Sequence, residues 1–541
     1  MKTQIYDIGT WLYPDSLPEP AAQPVPLDVP RNSDVCFQIL TDLVLPAGEL
    51  FTWSCDGAED GLRVQVCELR PVMARYNSGK DYLNALDYEE VKDFVTRKAP
   101  YEVFDLVRPV TDGHLQGGRA AFFVRVDAQD SAREGVRKLV LHLQIGAQSA
   151  DVCADICVHK TRLPSLEQTS FGMIHWLFPE EICVIHGVQR GSEAYYRLWE
   201  ENMRLLADMR NTFVLLPNPI PVYDENGAVT DFDFSEIDRA TELALRAGFP
   251  YLCGAAFATW VSWEDTSFYL QWAKTVPVES AEGYRQIRLF CRRTAEYLER
   301  FGLEKRYIQS VLDEPQVQSS LSYKALVCTF RSLLPGVRVM EATETPNVAG
   351  SCDLWGVKQA IYEKYKDAFQ QYQAMGEKLW VYACGFPANR WMNHIIDLPL
   401  SATRLGIWQA VRYGISGYLH YGFASVSEGM DHMYETNYLR MKNGEPRYFP
   451  PGNGHLVYVD GAAIYPSVRF HVQRTSAAEG ELLLRLKDRD PQMCSALIDT
   501  VCRSFYDYTA DSQPVELARR KLLERLDQLE NTFTGGADAH E

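Results

Sequence analysis

Basic residues are scarce in this sequence relative to acidic ones. Its 541 residues carry 54 Lys and Arg against 72 Asp and Glu, a net charge of -18 with no long Lys/Arg stripe. Such a surface repels phosphate backbones, so no nucleic-acid partner is expected. Long apolar runs are missing as well. Nothing approaches the roughly eighteen residues a spanning helix requires, so no membrane partner is expected. The opening residues, MKTQIYDIGTWLYP, lack a positive stretch followed by an apolar one. No secretory signal is therefore expected, and the reading is of a soluble, cytoplasmic protein.

Cysteine offers no framework either. The thirteen cysteines are odd in number and scattered, mostly in apolar strand-like runs such as those around Cys253 and Cys384. Reduced cysteines behave this way, as small core hydrophobes. Cys153, Cys157 and His159 alternate along one strand-like run (DVCADICVHK), but no second ligand pair accompanies them. No metal and no cofactor are expected. What is present is an ordinary globular balance, 46% apolar and 23% charged, which rules out wholesale disorder. A chain of this length makes about two to four domains.

The first thirty residues hold Pro14, Pro18, Pro20, Pro24, Pro26 and Pro30 and should be extended. From there to about residue 160 the apolar pattern has period two. Leu139, Leu141, Leu143 and Ile145 alternate with Val140, His142 and Gln144, and FFVRVD at 122–127 reads similarly. Short strands, turn signals and no long helix predict an antiparallel β-sandwich over residues 1–165.

After TRLPSLEQTS at 161–170 short apolar runs alternate with helical patterns. The runs are 172–177, 212–216, 250–254, 307–312, 337–340, 352–355, 378–384 and 417–421. Between them lie segments such as 192–210, with a Ser192 N-cap and a stripe of Leu198, Leu205, Leu206 and Met209. Eight buried strands with crossover helices predict an α/β fold, a (β/α)8 TIM-type barrel over 166–513. A doubly wound sheet is the alternative, but no Gly-rich phosphate turn follows the first run. The long loop-like stretch 422–466 follows the eighth run and would lie on the C-terminal face. Residues 514–541 read as a terminal helix whose end frays from Gly535.

In such a barrel the C-terminal strand ends carry the chemistry. These ends offer His175 and Trp176, Trp260, then Asp313-Glu314-Pro315, Glu341 and Glu344. Trp355, Trp380, Tyr382, His420 and Tyr421 complete the set. Aromatic rings stack on the apolar faces of sugars while carboxylates accept from their hydroxyls, so a carbohydrate is the expected partner. Trp355, Trp380 and Trp408 are also ordinary core residues, and His175 or His420 could simply satisfy a buried carbonyl. Asp313 and Glu314 are the sharpest feature, because adjacent carboxylates repel and one of them gains a raised pKa suited to acid catalysis.

A conventional retaining glycosidase needs a second carboxylate about 5 Å away. The seventh and eighth runs (KLWVYACGF, GYLHYGFAS) contain no Asp or Glu. That absence points to the exceptional route in which the substrate's own 2-acetamido oxygen attacks the anomeric carbon. Glu341 or Glu344 could instead act as nucleophile or base, so both routes stay open.

The stretch from about 166 to 480 resembles the catalytic domain of glycoside hydrolase family 123 and related barrel-type glycosidases. The likeness is carried by Leu312-Asp313-Glu314-Pro315, Trp380 to Cys384, Ile396 to Pro399 with Arg404 and Trp408, Gly417 to Leu419, Pro450 to Tyr458, and Tyr465 to Arg469. The resemblance implies a sandwich followed by a barrel and a retaining, substrate-assisted β-N-acetylgalactosaminidase that acts without cofactor, exo rather than endo. It implies that Asp313 orients the acetamido group, Glu314 is the acid/base and Tyr382 contacts the acetamido oxygen. His175, Trp176, Trp260, Glu341, Trp355 and Tyr421 are the remaining candidates for binding a β-linked N-acetylhexosamine. The chain departs from the family pattern at Tyr421, where a Trp is usual, and at Asn453, within Gly452-Asn453-Gly454. A conventional two-carboxylate β-glycosidase on another sugar and a non-catalytic carbohydrate-binding scaffold are the alternatives. Homo-oligomerisation is left open.

Overall fold

The computed structural model describes residues 1–19, 25–80, 83–262, 264–425 and 430–534; the frayed end expected from Gly535 lies outside them. Contacts gather the chain into two compact units. One comprises Met1–Phe171, Cys384–Arg412 and Ala424–Glu541, the other Gly172–Ala383 and Tyr413–Phe423. These do not coincide with the breaks expected at 165 and 513.

The reason lies in the first unit's helices. Arg404, on the helix Leu400–Arg412, donates to Glu479 at 3.0 Å and pairs with Glu516. Glu479 belongs to the helix Val468–Arg489 and Glu516 to Ser512–Thr534. Trp408 also donates to Glu479, at 2.8 Å, from a fully buried position. Three segments distant in sequence are thereby held by one buried charge network.

The N-terminal part of this unit holds two five-stranded sheets. Pairing is antiparallel except between Leu27–Arg31 and Gln148–Arg162, which run parallel, a departure from the all-antiparallel expectation. The predicted alternation is present: Leu139, Leu141, Leu143 and Ile145 are buried and pack with Phe37, Ile39, Phe122 and Val124 of the other sheet in one core. Side chains of period two facing one partner sheet give this layered arrangement.

The second unit is a parallel eight-stranded sheet that is nearly closed. In chain order its strands are Gly172–His175, Phe213–Leu216, Tyr251–Gly254, Tyr307–Gln309, Arg338–Thr343, Leu354–Lys358, Leu379–Ala383 and Gly417–His420, here called barrel strands one to eight. Strand one pairs with strand eight, and the ladder runs from eight back to two. Strands one and two meet through the Thr212 N–H, which donates to the Met173 carbonyl at 2.9 Å. A doubly wound sheet would leave these edges apart.

The crossover helices carry the expected signals. Ser192 caps Glu193–Asp208 by accepting from the Tyr195 N–H, and Ser280 caps Ala281–Phe301, which Gly302 ends in the left-handed region. Three strand ends differ from expectation. Strand four stops at Gln309, whereas strand five reaches Thr343 and strand six Lys358. The expected long loop after strand eight contains two short hairpins, Leu439–Lys442 with Glu445–Tyr448 and Val457–Asp460 with Ala463–Pro466. Among the described residues no helix is long and apolar enough to cross a membrane.

Candidate active site

A cavity of about 460 Å³ opens at the C-terminal ends of barrel strands one to five. Trp176 and Phe178, after strand one, form one wall; Asn218, Ala255 and Trp260 follow strands two and three. Ser310 and Asp313 follow strand four, and Leu215, Cys253, Met340 and Leu419, on strands two, three, five and eight, also line it.

The segment after Gln309 carries the carboxylate pair, and a buried carboxyl from strand five holds it. The Glu341 Oε2 accepts from the N–H groups of Val311 and Leu312 at 3.0 and 2.8 Å, and from the Tyr323 hydroxyl at 3.2 Å. Its Oε1 accepts from Ser310 Oγ at 2.8 Å. These bonds replace the ladder that strand four gives up early. Burial pushes Glu341 up to about 8, against the lowering effect of the Leu312 and Ser310 hydrogen bonds.

Asp313 lines the cavity, and its backbone carbonyl accepts from the Trp260 indole N–H at 2.9 Å. Burial first, and then the neighbouring Glu314 charge, push Asp313 up to about 7, while Lys358 pulls the other way. Glu314 sits at φ +49, the left-handed region that a non-glycine residue enters at a cost. Its N–H donates to the Ala342 carbonyl at 3.1 Å, which pins the turn. The Tyr382 hydroxyl donates to Glu314 Oε1, and the Lys358 ammonium lies 3.3 Å from that oxygen. Lys358 also pairs with Glu344. Asp313 therefore faces the cavity while Glu314 is held by a phenol and an ammonium, two different settings for adjacent carboxyls.

The structure brings Trp176, Trp260 and Asp313 to the cavity wall and joins Glu314 to Tyr382. It separates the others. Glu341 points outward to Tyr323 on the helix Ser320–Leu333, so it does not face the cavity as a nucleophile would. Glu344 is committed to Lys358. His175 is fully buried, with its Nδ1 3.1 Å from Asn211 Oδ1, and burial pushes it down to about 4. It is a neutral core histidine rather than a wall residue. His420 Nδ1 accepts from the Gly422 N–H at 3.0 Å, and the Tyr421 ring lies half-buried 5.0 Å from His420, apart from the cavity lining. Trp355 also turns outward. It packs 5.5 Å from Tyr372, donates to Glu377 at 3.0 Å, and is wholly buried, so its expected place in the sugar wall is corrected to helix packing.

Lys358 is the residue the sequence reading missed. Ending strand six at Trp355 left it outside the strand, although a single lysine closing the apolar run LWGVK was a visible signal. The one group of metal-type donors among the described residues is Asp28, Cys157 and His159, whose ligand atoms lie within 4.8 Å of one another. The His159 ring already bonds Asp28 and Asp527, each at 2.9 Å, and Arg520 donates to the second Asp28 oxygen. Burial would lower His159, yet these two carboxylates push it up to about 11, and a protonated ring offers no lone pair to a metal.

Comparison with known proteins gives the same class of chemistry. A structure described as that of a family 123 glycoside hydrolase from Clostridium perfringens, reported with the details of glycolipid glycan hydrolysis, aligns over 99% of both chains. The TM-score is 0.73 at 12% identity, a likeness of fold. A GH2 β-galacturonidase from Eisenbergiella tayi aligns over 82% of this chain and 69% of its own at 9% identity, with a TM-score of 0.35. No curated protein sequence matches the chain. Residues 176–486, more than half of the sequence, match the family described as glycoside hydrolase 123, catalytic domain. With an Asp-Glu pair at the mouth of a nearly closed barrel, the chain thus belongs to glycoside hydrolase family 123.

Proposed function

We propose that this glycoside hydrolase releases terminal β-linked N-acetylgalactosamine with retention of configuration, the substrate's acetamido group acting as nucleophile. Asp313 accepts the amide N–H and orients the group. The amide oxygen attacks the anomeric carbon as the glycosidic bond breaks, and Glu314 gives its proton to the departing oxygen. Water, deprotonated by Glu314, then opens the cyclic oxazolinium and restores the sugar.

One observation carries this reading: the other carboxyls near the pair are already engaged. Glu341 spends both oxygens on the 310–312 segment and Tyr323, and Glu344 is bound to Lys358. The remaining carboxylate on the cavity wall, Glu180, is tied to Arg190 at 2.6 Å on the rim. A conventional nucleophile therefore has no candidate among the described cavity residues. The glycan of a glycolipid, the material named for the Clostridium perfringens relative, is a fitting source of such a terminus.

The test uses p-nitrophenyl β-glycosides of N-acetylgalactosamine, N-acetylglucosamine and galactose, alongside a disaccharide ending in N-acetylgalactosamine. The acetamido sugars are expected to turn over and the galactoside to resist. Asp313→Asn should collapse both rates. Glu314→Gln should cost about 10²–10⁴-fold on the disaccharide and less on p-nitrophenol, which leaves with little acid help. Equal cleavage of the galactoside sinks the substrate-assisted route, and sugar binding without turnover favours a scaffold.

A further inference from the structure

Lys358 closes strand six with its side chain almost wholly buried, 4% exposed. Its ammonium lies 3.3 Å from Glu314 Oε1, pairs with Glu344, and sits 5.5 Å from the centre of the Tyr382 ring. It also acts on Asp313, where its charge opposes the effects of burial and of Glu314. These partners stand on different elements: Asp313 and Glu314 after strand four, Glu344 after strand five, Tyr382 on strand seven. Glu341, on strand five, is a further titratable neighbour of Asp313, and it is turned to Ser310, Val311 and Leu312. The Tyr382 phenol and the Lys358 ammonium both fall on the same Glu314 oxygen. A buried ion pair rarely repays its desolvation, so stability alone does not account for a lysine here.

We propose that Lys358 is a positioning residue for the reaction and that Glu344 is the counter-ion that sets its strength. Held at Oε1, the ammonium leaves Glu314 Oε2 to pass its proton to the departing oxygen and later to take one from water. It stabilises the carboxylate that Glu314 becomes once the proton has gone. The same charge keeps Asp313 ionised to accept the substrate amide, while Glu344 offsets part of it. The inference rests on the reaction proposed above, in which Asp313 accepts and Glu314 donates.

The experiment follows kcat/KM against pH on the N-acetylgalactosamine disaccharide for the native chain, Lys358→Met, Lys358→Arg and Glu344→Gln. Removing the ammonium should move the acid limb about one pH unit upward, because Asp313 then takes up its proton earlier as pH falls. It should also cut kcat by on the order of a hundredfold with KM nearly level. Removing the Glu344 charge leaves the ammonium unopposed and should move the limb downward by about half a unit. Lys358→Arg keeps the charge and should hold the native limb. A merely structural lysine would lower activity without displacing the limb in opposite directions. Limbs that stay put, or that shift the same way in Lys358→Met and Glu344→Gln, overturn the proposal. So does a limb displaced in Lys358→Arg as far as in Lys358→Met. Should Lys358→Met not fold, Glu344→Gln decides, at a side chain 23% exposed, and a limb that stays or rises there overturns the role. All these outcomes spare the function where the native chain turns over the acetamido sugars and leaves the galactoside. Equal cleavage of the galactoside overturns the function and this role with it.

Discussion

The adjacent carboxyls Asp313 and Glu314, both half-buried, have different tasks in the proposed mechanism. Asp313 is pushed up to about 7 by burial and by Glu314, so it takes up a proton as pH falls through that value. An orienting residue that must accept an N–H needs its charge. We expect kcat/KM on the N-acetylgalactosaminide to drop below about pH 7. In Asp313→Asn that acid limb should vanish from a profile that is low throughout, as a pH series on both proteins will read. Glu341 is a brace instead. Glu341→Ala strands two backbone N–H groups and two hydroxyls, and should cost about 2–4 kcal/mol in urea unfolding together with a fall in kcat. Glu341→Gln keeps an acceptor and should retain more of both. The Asp-Glu pair was legible in the sequence because an apolar run ends there. Which nearby carboxyl faces the cavity was not. On a strand a shift of one residue turns every side chain to the other face, and Glu341 falls on the outer one.

Strands show what alternation can and cannot reveal. Trp380 on strand seven packs 5.2 Å from Phe213 across the barrel, and Gly172 and Gly417, at the starts of strands one and eight, leave space for its indole. A Cβ at either glycine would overlap the ring. Gly417→Ala should therefore cost about 1–3 kcal/mol by thermal unfolding, and Trp380→Leu in the same chain should recover part of it. Apolar runs located all eight strands, but their ends drifted by several residues. Strand six was read as closing at Trp355 because the run CDLW looks complete, whereas its ladder with strand seven extends to Lys358 opposite Tyr382. Pairing, and not local composition, sets where a strand stops.

At the scale of the whole chain, the buried network around Arg404 ties together distant segments of the first unit. Burial alone would raise Glu479, but Arg404 outweighs it and holds this carboxyl below its usual range. A lowered folded value contributes stability above the unfolded pKa and loses it as pH falls through the folded one. Arg404→Met takes the guanidinium from Glu516 and leaves Glu479 with Trp408 and with Arg519 at 3.6 Å, and should cost about 3–5 kcal/mol near neutral pH. Its penalty should shrink in acid, where the carboxyls are neutral. Denaturant melts of both proteins at pH 7 and pH 4 test the sign. No local feature of Arg404 distinguishes it from a surface arginine, since its partners lie 75 and 112 residues away.

The sequence by itself determined the order of elements: a period-two region, then eight apolar runs alternating with capped helices, and an Asp-Glu pair ending the fourth run. Those features are local, set by backbone propensity and by which residues avoid water. The tertiary structure decided the rest. Closure of the sheet chose the inward face of each strand, which put Asp313 on the cavity wall, turned Glu341, Trp355 and His175 away from it, and brought Lys358 and Tyr382 to Glu314. Contact energies, not chain order, also gathered residues 384–412 and the C-terminal helices with the N-terminal sheets. Inward and outward differ by one residue in a strand, and only the partners across the barrel give that choice a free-energy difference.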